Sequence, residues 1–241
     1  MIIRAALCPY PPLLMRELTG GDPLVSGLRE ACADVTARLV DTHPDVVIVV
    51  GPAPATVCWD PASRLDRSSF APALRTSGNG TPGLPLPLGL GALLLDQAGY
   101  SGPRVLQAVG EHEPAPRCAE LGAQLIASAA RAALLAMGDG SARRSLTAPG
   151  HLDERAAPFD ARVERAIRAG DLAVLAALDP ALARELMVTG RPAWQVLAAA
   201  MGPRRPDTEV LYADAPFGVT YLVAEFEPAL NGASRPSRQI A

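Results

Sequence analysis

The sequence predicts a three-layer α/β/α domain on a mostly parallel sheet with a C-terminal antiparallel hairpin, and three observations lead there. Short apolar or β-branched runs alternate with amphipathic stretches through most of the chain, the pattern of strands joined by crossover helices. The run at 45–50, Asp-Val-Val-Ile-Val-Val, is continuously β-branched and apolar after its opening Asp, which suits a strand covered on both faces. Near the C-terminus, 209–213 and 219–226 are strand-like and flank Ala215-Pro-Phe-Gly218, the signature of a hairpin at a sheet edge.

Each element follows from local chemistry. Residues 2–8 form an apolar run that halts at Pro9-Tyr10-Pro11-Pro12, where prolines cannot donate to a ladder. Asp22-Pro23 supplies an N-cap and a first-turn proline, and Val25, Leu28, Cys32, Val35 and Leu39 recur at helical spacing to about Asp41. The strand at 45–50 should end in a loop at Gly51-Pro-Ala-Pro54, with a short strand at 56–59. Residues 60–87 are rich in Ser, Gly, Pro and Arg and read as a surface excursion. A helix at 88–99, a strand at 104–109 ending in Gly110-Glu-His-Glu-Pro114, and a helix at 115–130 come next. The apolar run 132–137 is broken by Gly138-Asp-Gly140, and a long polar loop leads to a helix at 158–169. Short helices follow at 171–178, 179–187 and 192–201, two of them opened by Asp caps. Residues 1–228 form one expected domain, and the polar, Pro-containing 229–241 an expected disordered tail.

Composition excludes several classes. The chain has 241 residues, 49% of them apolar, enough for a substantial core. A net charge of −3 without a basic run argues against nucleic acid and anionic membrane as partners. No apolar stretch approaches the ~20 residues of a membrane span, and Met1-Ile-Ile-Arg4 lacks the layout of a signal peptide, so a cytoplasmic protein is expected. Lys is absent, which removes Schiff-base chemistry and a P-loop. Cys8, Cys32, Cys58 and Cys118 are widely spaced and read as reduced thiols, neither a disulfide framework nor a zinc site.

Ligands of open α/β sheets bind outside the carboxyl ends of the strands. Candidate chemistry therefore lies in four loops, the longest holding Asp139, Ser141, Arg143, Arg144, His151, Asp153, Glu154 and Arg155. Its plainer reading is a solvated loop tied down by Arg–carboxylate pairs. Of the three histidines, His43 precedes Pro44 at the opposite edge and reads as structural, whereas His112 and His151 fall in carboxyl-end loops.

Three turns carry a resemblance: Cys8-Pro-Tyr10-Pro-Pro, Gly51-Pro-Ala53-Pro, and Gly138-Asp-Gly-Ser-Ala142 followed by Phe159-Asp160. In order and spacing they resemble the class III extradiol dioxygenases and their non-catalytic Memo-type relatives, across nearly the whole chain. In the ring-cleaving members the first two turns supply histidines to a non-haem Fe(II), a carboxylate completes the triad, and the third turn's histidine is an acid/base. Here those positions hold Tyr10, Ala53 and Ala142, and 189–194 offers no carboxylate, Glu185 being nearest. Ala53 has no donor atom, so the inherited iron site is absent, and neither metal nor cofactor is expected.

The resemblance thus implies a catalytically degenerate descendant that binds a small ligand or a protein partner in the vestigial cleft, lined by Tyr10, Asp139, Ser141, Arg143 and His151. The alternative is an enzyme with a rebuilt metal or acid/base site using His112 and His151, with Asp139 a further catalytic candidate. Cys8 as nucleophile, a Ser141–Asp139–His151 triad, an Arg143–Arg144 anion clamp, and Tyr10, Trp59 and Phe217 as pocket aromatics each compete with ordinary burial or pairing. Pairing into a homodimer through the hairpin edge is also open.

Overall fold

The structure, a computed structural model, describes residues 1–20, 22–66, 83–127 and 130–229. Strand β1 (Ile2–Cys8) runs into a 3-10 turn at Pro12–Leu14 and a one-turn helix α1 (Arg16–Thr19). Helix α2 (Pro23–Val40) follows, its first turn capped by the Asp22 carboxylate accepting from the Leu24 N–H at 2.9 Å. Strands β2 (Val46–Ala53) and β3 (Val57–Trp59) precede α3 (Leu86–Gln97), β4 (Arg104–Gly110), α4 (Ala115–Ile126) and β5 (Ala132–Met137). After the long loop come α5 (Ala156–Arg168), α6 (Leu172–Ala176), α7 (Pro180–Glu185) and α8 (Arg191–Met201), and strands β6 (Asp207–Asp214) and β7 (Tyr221–Glu227) finish the described chain.

The strands form one sheet in the order β3-β4-β2-β5-β1-β7-β6. β4, β2, β5 and β1 are mutually parallel, so their carboxyl ends share one edge. The hairpin adds to that core antiparallel: β7 pairs with β1 (Ala5 opposite Phe226) and leaves β6 at the margin.

Two cores fill the spaces above and below the sheet. Alternating residues of the central strands divide between them, as the period of a strand demands. Leu7, Ile48, Val50 and Leu134 meet α4, α5 and α8, with Phe159, Val163 and Trp194 packed in. Ala6, Val47, Val49 and Leu135 meet α2 and α3 through Leu28, Cys32, Leu88 and Leu95. The three-layer architecture expected from the sequence is therefore the one observed.

Local differences have identifiable causes. β2 does not stop at Gly51 but continues through Pro52 to Ala53, because Gly51, Pro52 and Ala53 stay in register with Ala108, Val109 and Gly110. The Ala53 carbonyl then accepts the Glu111 N–H at 2.9 Å. Of the two expected Asp caps, Asp179 accepts from the Ala181 N–H at 2.7 Å, whereas Asp171 makes no capping bond. Most of the 60–87 excursion (67–82), the end of the expected 115–130 helix (128–129) and the tail from 230 lie outside the described residues. Cys8, Cys32 and Cys118 are buried free thiols and Cys58 is exposed. No helix among the described residues is long and apolar enough to cross a membrane.

Candidate functional site

The turn after β1 lies across the turn after β5 because their strands are neighbours. The Gly138 N–H donates to the Cys8 carbonyl at 2.8 Å, and the Tyr10 N–H donates to Asp139 Oδ1 at 2.9 Å. On its other side Asp139 offers its own carbonyl to the Gly190 N–H at 2.9 Å, which brings the start of α8 against the same turn. That approach requires glycine: a Cβ on Gly138 would stand 2.3 Å from the Gly190 Cα and 3.0 Å from Trp194 Nε1.

Asp139 is partly buried, and loss of hydration pushes its carboxyl up to about 7, with the Tyr10 N–H acting the other way. The Tyr10 phenol is raised by burial first and by the Asp139 charge second; Tyr221 is raised for the same two reasons, in the same order. Three ionisable groups therefore share one poorly hydrated space. The Thr189 hydroxyl lies beside the Tyr10 phenol and favours its ionised form, yet makes no hydrogen bond of ordinary geometry. Trp194 Nε1, fully buried beneath Gly138, is likewise without a partner. Unpaired buried polar groups are uncommon and ask for an explanation.

The other predicted residues are distributed differently. Ser141 is fully enclosed rather than lining a cleft, because both its N–H and its hydroxyl donate to Asp160. Asp160, itself 3% exposed, also accepts the Thr220 hydroxyl at 2.7 Å and, at 3.4 Å, Arg144. This network ties the loop to the start of α5 and to β7. Asp139 is absent from it, so the Ser141–Asp139–His151 triad does not form.

Arg143 packs its side chain on Gly150 with its Nε buried without a partner; the Asp153 carboxyl is held low chiefly by hydrogen bonds from Arg155 and only lastly by the Arg143 charge. Arg155 pairs with Asp153 at 2.8 Å and with Glu185 at 2.7 Å. His151 is exposed in a left-handed conformation (φ 59°). His112 is also exposed, and it lines a cleft of about 200 Å³ together with Glu111, Arg184, Met187, Thr189 and Arg191; His151 is not part of that lining. Phe217 is exposed in the hairpin turn, and Trp59 packs half-buried on the α2–α3 core.

The positions at which the resemblance would place iron ligands do not fit a metal here. Tyr10 is a poorly hydrated phenol held toward its neutral form, Ala53 offers no donor, and Glu185 is committed to Arg155. Among the described residues no three His, Cys, Asp or Glu side chains converge as a ligand set.

Thr189, Arg191, Trp194 and Tyr221 join this end of the sheet without a motif to mark them: the first three lie in a stretch that offers no carboxylate, and Tyr221 lies in an apolar strand. Arg191 is only 2% exposed, and its guanidinium donates to the carbonyls of Glu111 (2.7 Å) and Glu113 and to Gln195 Oε1 (3.0 Å). These bonds staple the loop after β4 to α8. Burial lowers the guanidinium's proton affinity, as expected for a charge held by dipoles.

No known family model matches the chain, and no curated protein matches it. Among solved structures, the uncharacterized protein JW3007 from Escherichia coli K12 superposes with a TM-score of 0.52 at 13% identity. The superposition covers 92% of this chain and 99% of that one, so the likeness is one of fold across the whole length.

Proposed function

We propose that this chain is a catalytically degenerate protein of the class III extradiol dioxygenase type whose strand-tip cleft holds a small ligand in place of iron. The carrying observation is the set of underused polar groups around Asp139. Its carboxyl meets one donor among the described residues, and Thr189 Oγ1, beside the Tyr10 phenol, and Trp194 Nε1, beneath Gly138, meet none. Each unpaired buried group costs about 1–3 kcal/mol. A small polar ligand would satisfy several at once, and the carboxyl ends of parallel strands are where open α/β sheets hold ligands.

A second reading has one observation in its favour. A carboxyl near 7 exchanges its proton at neutral pH, as a general acid or base must. That enzyme would be centred on Asp139 with Tyr10, and not on a His112–His151 pair.

The test is iron content and ring cleavage of catechol by protein reconstituted with ferrous ion, followed by a thermal-shift screen of small hydroxylated and carboxylated compounds. The expected outcome is no stoichiometric iron, no ring-opened product, and stabilising compounds whose effect is lost in Asp139→Asn and Thr189→Val but kept in His151→Ala. Iron-dependent ring opening, or compounds indifferent to both cleft substitutions, would overturn the reading.

A further inference from the structure

The cleft beside α7 is lined by more cationic than anionic side chains. Two guanidinium groups, Arg184 and Arg191, stand in its wall against one carboxylate, Glu111. Neither arginine forms an ion pair among the described residues; burial chiefly lowers proton binding at Arg191, and the Arg184 charge adds to it. Arg191 is buried, and the oxygens it meets in hydrogen bonds are neutral dipoles, so its charge is oriented by carbonyls and offset only at longer range, by Glu113. Thr189 Oγ1 adds a buried hydroxyl without a hydrogen-bond partner in the same wall. The rest of the lining, Pro180, Ala183, Met187 and Val188, is hydrocarbon or thioether. His112 lies at the exposed rim.

We infer that this cleft binds a small monocarboxylate, its head group between Arg184, Arg191 and Thr189 and its hydrocarbon body against Met187 and Val188. A carboxylate fits better than a phosphate for two reasons. Arg191 commits both Nη1 hydrogens and one on Nη2 to the protein, leaving few donors for a head of three or four oxygens. Glu111 disfavours a second negative charge. The volume, about 200 Å³, is below the ~300–1,000 Å³ of drug-sized pockets and suits a short-chain acid. The site shares Thr189 with the proposed strand-tip site but uses neither Tyr10 nor Asp139, so Arg184→Ala, which lies outside that site, separates the two readings.

Isothermal titration of the full chain with sodium acetate, butyrate, hexanoate and inorganic phosphate, at constant ionic strength and against sodium chloride, tests it. Hexanoate should bind saturably with one site per chain and more tightly than acetate. Arg184→Ala, at an exposed position, should weaken it about tenfold, the worth of one charge-assisted bond, and Thr189→Val should weaken it less. Arg191→Gln is the more direct variant but removes a structural staple, so Arg184→Ala decides. Heats equal to those of chloride, or hexanoate affinity unchanged in Arg184→Ala, overturn the site. Phosphate binding more tightly than hexanoate overturns the assignment of a carboxylate.

Discussion

Ionising Asp139 leaves a negative charge where a single backbone N–H answers it among the described residues. Its folded carboxyl titrates at about 7, against about 4 in an unfolded chain. Between those values the native state holds a proton that the unfolded chain has already released. Stability therefore falls as pH rises through that window and is level above it, opposite to the usual paired carboxylate. The full shift corresponds to at most about 4 kcal/mol, reduced by the side chain's partial contact with solvent. Asp139→Asn should remove that slope, making the variant more stable than the parent at pH 8 and closer to it at pH 5, as read from urea midpoints. An unchanged slope would show that the carboxyl is hydrated after all. A residue kept at the expense of stability is what a binding or proton-transfer role would leave behind. Asp160 is a structural carboxylate instead, since three donors from Ser141 and Thr220 and a distant Arg144 converge on it. Asp160→Ala should cost about 2–4 kcal/mol by chemical denaturation, because it strands buried donors.

The close crossing of β5's tip and the start of α8 is where two elements specify the site together. Gly138→Ala would force its methyl into the Gly190 backbone, which cannot swing aside as a side chain can. A loss of about 3 kcal/mol or more is expected, with the near-ultraviolet signal of Trp194 altered in whatever folds. A variant of parental stability would show that α8 floats free of the sheet. The elements themselves were largely legible: apolar periodicity marks α2, α4 and α5, and unbroken apolar runs mark β2 and β5. The end of β2 was not, because pairing with β4 carries Gly51 and Pro52 past where their local preferences would stop a strand. The site was legible by halves. That Tyr10 and Asp139 share an edge follows from parallel topology, but a hydroxyl or indole from α7–α8 reaches them only through a long-range closure that no local pattern encodes. Ser141 shows the reverse error. Its place in a polar loop suggests access, and the Asp160 carboxylate behind it draws it inward.

At the scale of the molecule, one sheet is the common wall of two cores, and neither core has a floor without it. Leu134 and Leu135 are consecutive on β5 yet belong to opposite layers, so a strand that leaves one core leaves both. The layers should therefore unfold as a unit despite sharing few side-chain contacts across the sheet. The two tryptophans allow each layer to be watched alone, since Trp194 lies in the α4–α5–α8 core and Trp59 packs on the α2–α3 core. Trp194→Phe leaves an indole only on the second side, and Trp59→Phe only on the first. In each variant the fluorescence transition in urea should coincide with that variant's own far-ultraviolet circular dichroism transition, whatever its midpoint. Trp59 lies on the marginal strand β3 and is the harder test. If its emission changes well before helix content does, the β3–β4 side of the sheet opens separately, and the strand-tip cleft would then sit on a frame that loosens from one edge. Coincidence in both variants would mean that ligand binding at the carboxyl edge stabilises both layers together, so either indole could report it.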